Sequence, residues 1–369
     1  MRVVVAPDSF KASIGAAAAA RSIAVGWRQV RPADEVLEMP LADGGEGTAA
    51  VIAATVPASR WHPAEVSGPA DARVLAGWLD LPGNGAVVEL AAAAGLPLMP
   101  ELSPLTAHSF GVGELIGLAL DAGARHIDVA LGGSACTDGG CGALAALGAR
   151  FLDADGRELP RGGGALTRLA AVDLTGLRPP PPGGIRCLTD VGNPLLGLDG
   201  AAAVFGPQKG ASSSDIAVLD AGLARLAALL GGDPAAAGAG AAGGCAYGLA
   251  AAAGAAMEPG AKRIAEITGL PAALAGADLV ITGEGRYDAT SLAGKVVGTV
   301  LAAADAAGVA VAIVAGQLAT PPAGQVSAVE LAALAGSAQY AFAEPIPWLT
   351  AAGRLLATDQ ATASASGTR

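Results

Sequence analysis

The chain has 369 residues and a formal net charge of −11, with 33 acidic against 22 basic side chains. That length suits two domains of ordinary size. The acidic balance speaks against nucleic acid as the principal partner, because phosphate backbones are gripped by clustered Lys and Arg. Any anion must be held by local donors against the overall field. Hydrophobic residues make up 52% of the chain but aromatics only 3%, so layers of small side chains can pack closely.

The opening MRVVVAPDSF is too short an apolar run for a signal peptide. No stretch escapes Gly, Pro and charge for long enough to suggest a membrane span. Cys136, Cys141, Cys187 and Cys245 show no CxxC spacing and no nearby His. These features predict a cytoplasmic protein with reduced thiols and no zinc site.

In chain order, Val3–Ala6 reads as a strand buried on both faces. Ser13 is placed to cap a helix running to about Val30. Glu35–Met39 is a second strand, emptying into Leu41–Gly47, and a helix follows. This strand–helix alternation predicts a parallel sheet. Val74–Leu79 and Ala86–Leu90, separated by Pro82-Gly83-Asn84-Gly85, read as a hairpin. A helix near Gly113–Ala122, a strand at Ile127–Leu131 and a helix at Cys141–Leu147 come next. The four prolines 179–182 form an extended segment before a strand at Ile185–Thr189. Near the end, Asp278–Thr282 and Val309–Ala315 are buried strands flanking a helix at Gly294–Ala307. The final ATASASGTR reads as a disordered tail. The expected architecture is a doubly wound α/β domain (1–64 plus 277–369) carrying a large inserted α+β domain (65–276) of mixed sheet, with a cleft between them.

Three turns follow predicted strands of the α/β domain directly: Ala6–Lys11, Ala42–Gly47 and Thr282–Asp288. In an open parallel sheet such turns line the ligand crevice. Each mixes carboxylates with Gly, Ser or a cation. Glycines admit an anion to backbone N–H groups, and carboxylates beside them suit Mg²⁺ bridging phosphates. The middle of the chain adds Gly132–Gly140, Asp190–Leu195 and Phe205–Gly210. Any one of these could be only a tight turn or a helix cap; six in one chain point to a cleft enzyme acting on anions. The P-loop, the GxGxxG fingerprint and the protein-kinase motifs are all absent. A non-catalytic binding module for small hydroxy acids and an oxidoreductase stay open as alternatives, the latter disfavoured by the missing dinucleotide fingerprint.

The segments APDSFK, ADGGEG, NPLLG, FGPQKG and TGEGR-x-D, with AGQLA at 315–319, resemble the bacterial two-domain class I glycerate kinase family over nearly the whole chain. The resemblance implies a flavodoxin-like α/β domain with an insertion. It implies ATP and Mg²⁺, a soluble small-molecule substrate (D-glycerate), and 2-phosphoglycerate as product, with 3-phosphoglycerate the other outcome. Kinase action on a related hydroxy acid is the near alternative. Thr137 and Thr290 stand where the family usually has Asn and Gln, removing two amides. On this footing Lys11, Lys209, Lys295 and Arg286 are expected to neutralise phosphate or the glycerate carboxylate, and Asp190 to act as general base. Asp43, Glu284 and Asp288 are expected at the metal. Asp8, Ser9, Gly44, Gly45, Gly133, Ser134, Asp138 and Asn193 are expected to bind substrate or phosphate.

Overall fold

The structure is a computed structural model that describes residues 1–10, 12–292, 294–322 and 326–366, with side chains through Thr362. The strands are β1 Arg2–Val5, β2 Glu35–Glu38, β3 Arg60–Ser67, β4 Arg73–Leu81, β5 Gly85–Glu89, β6 His126–Ala130 and β7 Arg150–Leu152. They continue with β8 Ala171–Asp173, β9 Ile185–Thr189, β10 Ala256–Pro259, β11 Leu279–Tyr287, β12 Ala310–Leu318 and β13 Ser327–Glu330. The helices are α1 Ala16–Val30, α2 Thr48–Thr55, α3 Leu90–Ala94, α4 Phe110–Asp121, α5 Cys141–Ala146, α6 Ala201–Phe205 and α7 Ser213–Leu230. After them come α8 Ala241–Ala253, α9 Gly260–Thr268, α10 Leu270–Leu274, α11 Val296–Ala307, α12 Leu331–Ala335, α13 Ala338–Ala343 and α14 Pro345–Ser366. Among the described residues no helix is long and apolar enough to cross a membrane.

Two compact units result: Met1–Asp43 with Ala50–Pro57 and Ala261–Arg369, and Gly44–Ala49 with Ala58–Gly260. This partition differs from the expected boundaries in particular places. β3 begins at Arg60 and pairs antiparallel with β4 along its whole length, which ties it to the second unit. α9 groups with the first.

The first unit is a five-stranded parallel sheet in the order β13-β12-β11-β1-β2. Counting strands within the unit, this is the 2-1-3-4-5 order of the flavodoxin-like fold, with its switch point between β1 and β11. Val3, Val5, Ile281 and Val314 bury one face against α1, α12 and α14. Ile313 and Ala315 bury the other against Val297 of α11. Continuous apolar runs such as Val3-Val4-Val5 arise because both faces are covered.

Three local expectations change. Ser13 does not cap α1; Gly15 occupies that position without a side-chain bond, and Ser13 Oγ donates to Phe342 O at 2.7 Å. β11 runs on through the expected turn to Tyr287, because Glu284 and Arg286 stay in register with Ala315 and Gln317 of β12. Residues 361–366 continue α14 as helix, whereas 367–369 lie outside the described residues.

The second unit holds a six-stranded sheet, β10-β9-β6-β5-β4-β3. β10, β9, β6 and β5 are parallel, and β5-β4-β3 antiparallel. Its core gathers Trp78, Val88, Leu115, Ile116, Ile127 and Tyr247. All four cysteines are free and buried there.

Candidate active site

At the carboxyl ends of β1, β11 and β12 the first unit opens a cavity of about 420 Å³. This is the switch point where parallel α/β sheets hold ligands. Asp8 and Ser9 reach it from β1, Glu284 and Arg286 from β11, and Gln317 from β12. Asp288 and Lys295 also line it, as do the apolar Leu331, Ala341, Phe342 and Pro345. The backbone is stitched across the floor: Asp8 N donates to Gly283 O at 2.8 Å and Leu41 N to Pro7 O at 2.9 Å. Two glycines let β11 and β12 meet tightly. A Cβ on Gly283 would fall 1.9 Å from Val314 O, and one on Gly316 would fall 2.3 Å from Gly285 O.

Charged groups of both signs share this cavity. Asp288 Oδ1 accepts from Thr290 N at 2.9 Å and from Thr290 Oγ1 at 2.7 Å. Those two bonds, aided by the nearby Lys295 and Arg286 charges, hold the Asp288 carboxyl below its ordinary value. Lys295 Nζ donates to the same Thr290 hydroxyl. Lys295 is the residue preceding α11. Arg286 is exposed, with Nε 3.7 Å from Asp288 Oδ2. Thr290, the position where the family resemblance removes an amide, is thus a hydroxyl linking cation to carboxylate.

In the second unit the parallel strand ends build a different environment. The segment Gly44–Ala49 packs on the ends of β5, β6 and β9. Gly132 N donates to Gly44 O at 3.0 Å, and a Cβ on Gly132 would lie 2.4 Å from Gly45 Cα. Glu89, at the end of β5, faces the N–H groups of Ala49, Thr48 and Gly47. Burial nevertheless pushes its carboxyl above the ordinary value. No reading of the sequence singled out Glu89.

The Gly132–Gly140 turn shows which of its residues are available. Gly132, Gly133 and Ser134 form its accessible lip, whereas Ala135 to Gly140 are buried. Asp138, expected to bind ligand, is fully buried and fully engaged. Its oxygens accept from Ser109 N and Oγ at 2.8 Å each, and from Gly140 N and Gly142 N at 3.1 Å each. Thr137 is equally buried, and its hydroxyl has no hydrogen-bond partner among the described residues. Lys209 is also buried; its Nζ donates to Ser134 Oγ at 2.9 Å and to Cys136 O at 2.5 Å. Lys209, expected to neutralise phosphate or the glycerate carboxylate, fastens the turn through these two bonds.

The remaining expected residues fall as follows. Asp190 follows β9 directly and is half-buried. Asn193 Nδ2 donates to Asp199 O at 2.9 Å. Asp43 belongs to the first unit but does not line its cavity. Lys11 lies outside the described residues.

A flavodoxin-order sheet with mixed charge at its switch point, joined to a second unit with glycine-rich turns at parallel strand ends, defines an α/β enzyme built to handle small anions. The chain belongs to the glycerate kinase family, whose profile matches residues 3–360. It is 44% identical over 306 residues to the glycerate 2-kinase of Escherichia coli K12, covering 80% of each chain. To the glycerate kinase of Bacillus subtilis 168 it is 42% identical over 307 residues, covering 80% of this chain and 79% of that one. Among solved structures, a glycerate kinase 2 structure from Salmonella typhimurium LT2 superposes with a TM-score of 0.84 at 38% identity, covering 99% of each chain.

Proposed function

We propose that this chain transfers the γ-phosphate of ATP to a hydroxyl of D-glycerate and forms 2-phosphoglycerate. The observation that carries the reading is the cavity at the β1/β11 switch point, where Arg286 and Lys295 sit with three carboxylates. Phosphoryl transfer asks for positioning and charge neutralisation more than for covalent chemistry. Arg286 and Lys295 supply the positive charge toward the phosphates. The Asp288–Thr290–Lys295 chain fixes where that charge stands.

Asp8, Glu284 and Asp288 offer the hard oxygen donors that Mg²⁺ prefers, and they line one cavity. Asp43 drops out of that set because it lies outside the cavity lining. No group of three or more His, Cys, Asp or Glu among the described residues forms a ready cage. Mg²⁺ in kinase sites usually keeps several waters and takes one or two carboxylates plus substrate phosphates. When bound with the nucleotide, the metal supplies charge neutralisation at phosphate oxygens.

In the second unit, Ser134, held by Lys209, and the accessible Gly133 give an anion donors at the turn lip. Gly44, Gly45 and Asn193 lie on neighbouring strand-end segments. Asp190 is the proposed base that accepts the proton of the attacking hydroxyl, worth roughly 10²–10⁴-fold. ADP release with D-glycerate, ATP and Mg²⁺ tests the activity, and phosphorus NMR of the product identifies the hydroxyl. Asp190→Asn should lower kcat by about that factor while nucleotide still binds. Wild-type protein that releases no ADP sinks the reading, and unchanged kcat in the variant removes Asp190 from its role.

A further inference from the structure

The cavity of the first unit is lined by charged and by apolar residues, and the proposed phosphate transfer uses only the charged ones. The apolar ones come from the C-terminal helices: Leu331 of α12, Ala341 and Phe342 of α13, and Pro345 at the start of α14. Phe342 is 55% exposed, yet its backbone is fixed. Its carbonyl accepts from Ser13 Oγ at 2.7 Å, and Ser337 caps its helix through Tyr340 N at 3.2 Å. An exposed aromatic on an anchored backbone at the edge of a polar cavity suits a flat ring stacked against it. Gln317 lines the same cavity from β12, the strand that pairs with Arg286 and packs on α12 and α13. A carboxamide matches adenine, whose N6 donates and N7 accepts, and mismatches guanine, which offers two acceptors on that edge.

Resting on the reading of this cavity as the nucleotide site, we infer that its apolar lining is an adenine subsite. Phe342 stacks on the base, Leu331 and Pro345 border it, and Gln317 reads its N6–N7 edge. The charged residues then take the triphosphate, so one cavity divides the nucleotide between base and phosphates. Phe342 and Gln317 set the choice of phosphate donor; neither takes part in the chemistry.

Two measurements on the full chain decide this: KM for ATP and GTP at saturating D-glycerate, and calorimetric binding of ATP and of inorganic tripolyphosphate. Phe342→Ala should raise KM for ATP and weaken ATP binding by roughly tenfold, the scale of one lost base–aromatic stack. Tripolyphosphate binding and KM for glycerate should not move, and Phe342→Tyr should restore the ATP values. Gln317→Leu should shrink the preference for ATP over GTP by roughly tenfold, the scale of one bidentate base contact. If Phe342→Ala fails to fold, Gln317→Leu carries the test alone. Wild-type KM, binding and nucleotide preference in these variants overturn the subsite, even with an active wild-type enzyme. A wild-type protein that binds ATP through Phe342 but phosphorylates no glycerate sinks the functional reading and leaves the subsite standing. A protein that binds no ATP removes both.

Discussion

The Lys295 ammonium is hydrogen-bonded to Thr290 Oγ1 at 3.0 Å. That hydroxyl passes its own proton toward Asp288 Oδ1, 2.7 Å away. One threonine therefore orients a cation and lowers the proton affinity of a carboxylate together. Replacing Thr290 by Ala should raise the Asp288 carboxyl toward its ordinary value, because the largest contribution holding it down is the Thr290 bond. Carbon-detected NMR titration of the Asp side chains reads the shift. kcat/KM for ATP should fall roughly fivefold, the scale of one lost hydrogen bond. A stationary Asp288 titration would refute the relay.

Thr137 offers the opposite case. Its hydroxyl is buried without a partner among the described residues, and valine has nearly the same shape. Thr137→Val should stabilise the protein by about 1 kcal/mol, since an unpaired buried polar group costs about 1–3 kcal/mol. Urea denaturation should show a higher midpoint at unchanged slope. A lower midpoint would show that the hydroxyl is satisfied in solution.

Asp138 is predicted to fail through the fold. Its carboxylate collects four buried donors from Ser109, Gly140 and Gly142. Asp138→Ala should cost roughly 3 kcal/mol or more, as broken buried networks do. Equilibrium unfolding tells this apart from a ligand-binding role. A variant of native stability with abolished activity would return Asp138 to the substrate.

Lys209 combines burial with anchoring. Burial, opposed by surrounding acidic groups, lowers its ammonium below the ordinary lysine value. Between that lowered value and the ordinary 10.5 the unfolded chain binds the extra proton, so stability should rise with pH across the window. Below the lowered value the cost of burying charge is fully present. Lys209→Met should abolish that alkaline rise in unfolding experiments. It should also speed amide exchange at Gly133 and Ser134, because Ser134 Oγ loses its 2.9 Å donor. Unaltered exchange would mean that the turn holds itself.

Asp34 gives an acid-side counterpart. Burial alone would raise its carboxyl, but bonds from Arg31, the N-terminal ammonium and Trp27 outweigh it and hold the value at about 2. The resulting stability is fully present above the ordinary value of 3.8 and is lost as pH falls toward 2. Asp34→Asn should remove about 2 kcal/mol at neutral pH. The difference from wild type should vanish near pH 2. A constant difference down to that pH would contradict the linkage.

Much of the scaffold was legible because buried parallel strands leave continuous apolar runs, as in Val3–Val5 and Leu279–Ile281. β3 escaped notice: Pro63 interrupts it and its residues mostly face solvent, the profile of an edge strand. The extension of β11 was hidden because Gly283-Glu284-Gly285 has the composition of a turn, and only pairing with β12 keeps it extended. Motifs brought Asp8, Glu284, Arg286, Asp288 and Lys295 to attention, and these share one cavity. Burial is what the string of letters does not disclose. Lys209 and Asp138 look like surface charges among turn residues, and Glu89 looks like a strand end. The apolar lining residues Leu331, Ala341, Phe342 and Pro345 carry no charge and belong to no motif, so nothing drew attention to them.

The contact between Gly283 and Val314 has an evolutionary corollary. Any side chain added at Gly283 or Gly316 would have to pry two central strands apart, so this part of the pocket has almost no mutational freedom. The short helices that share the cavity carry no such restriction. Lineages that change their nucleotide preference should therefore accumulate substitutions around Ala338–Pro345 while the paired strands beneath stay the same.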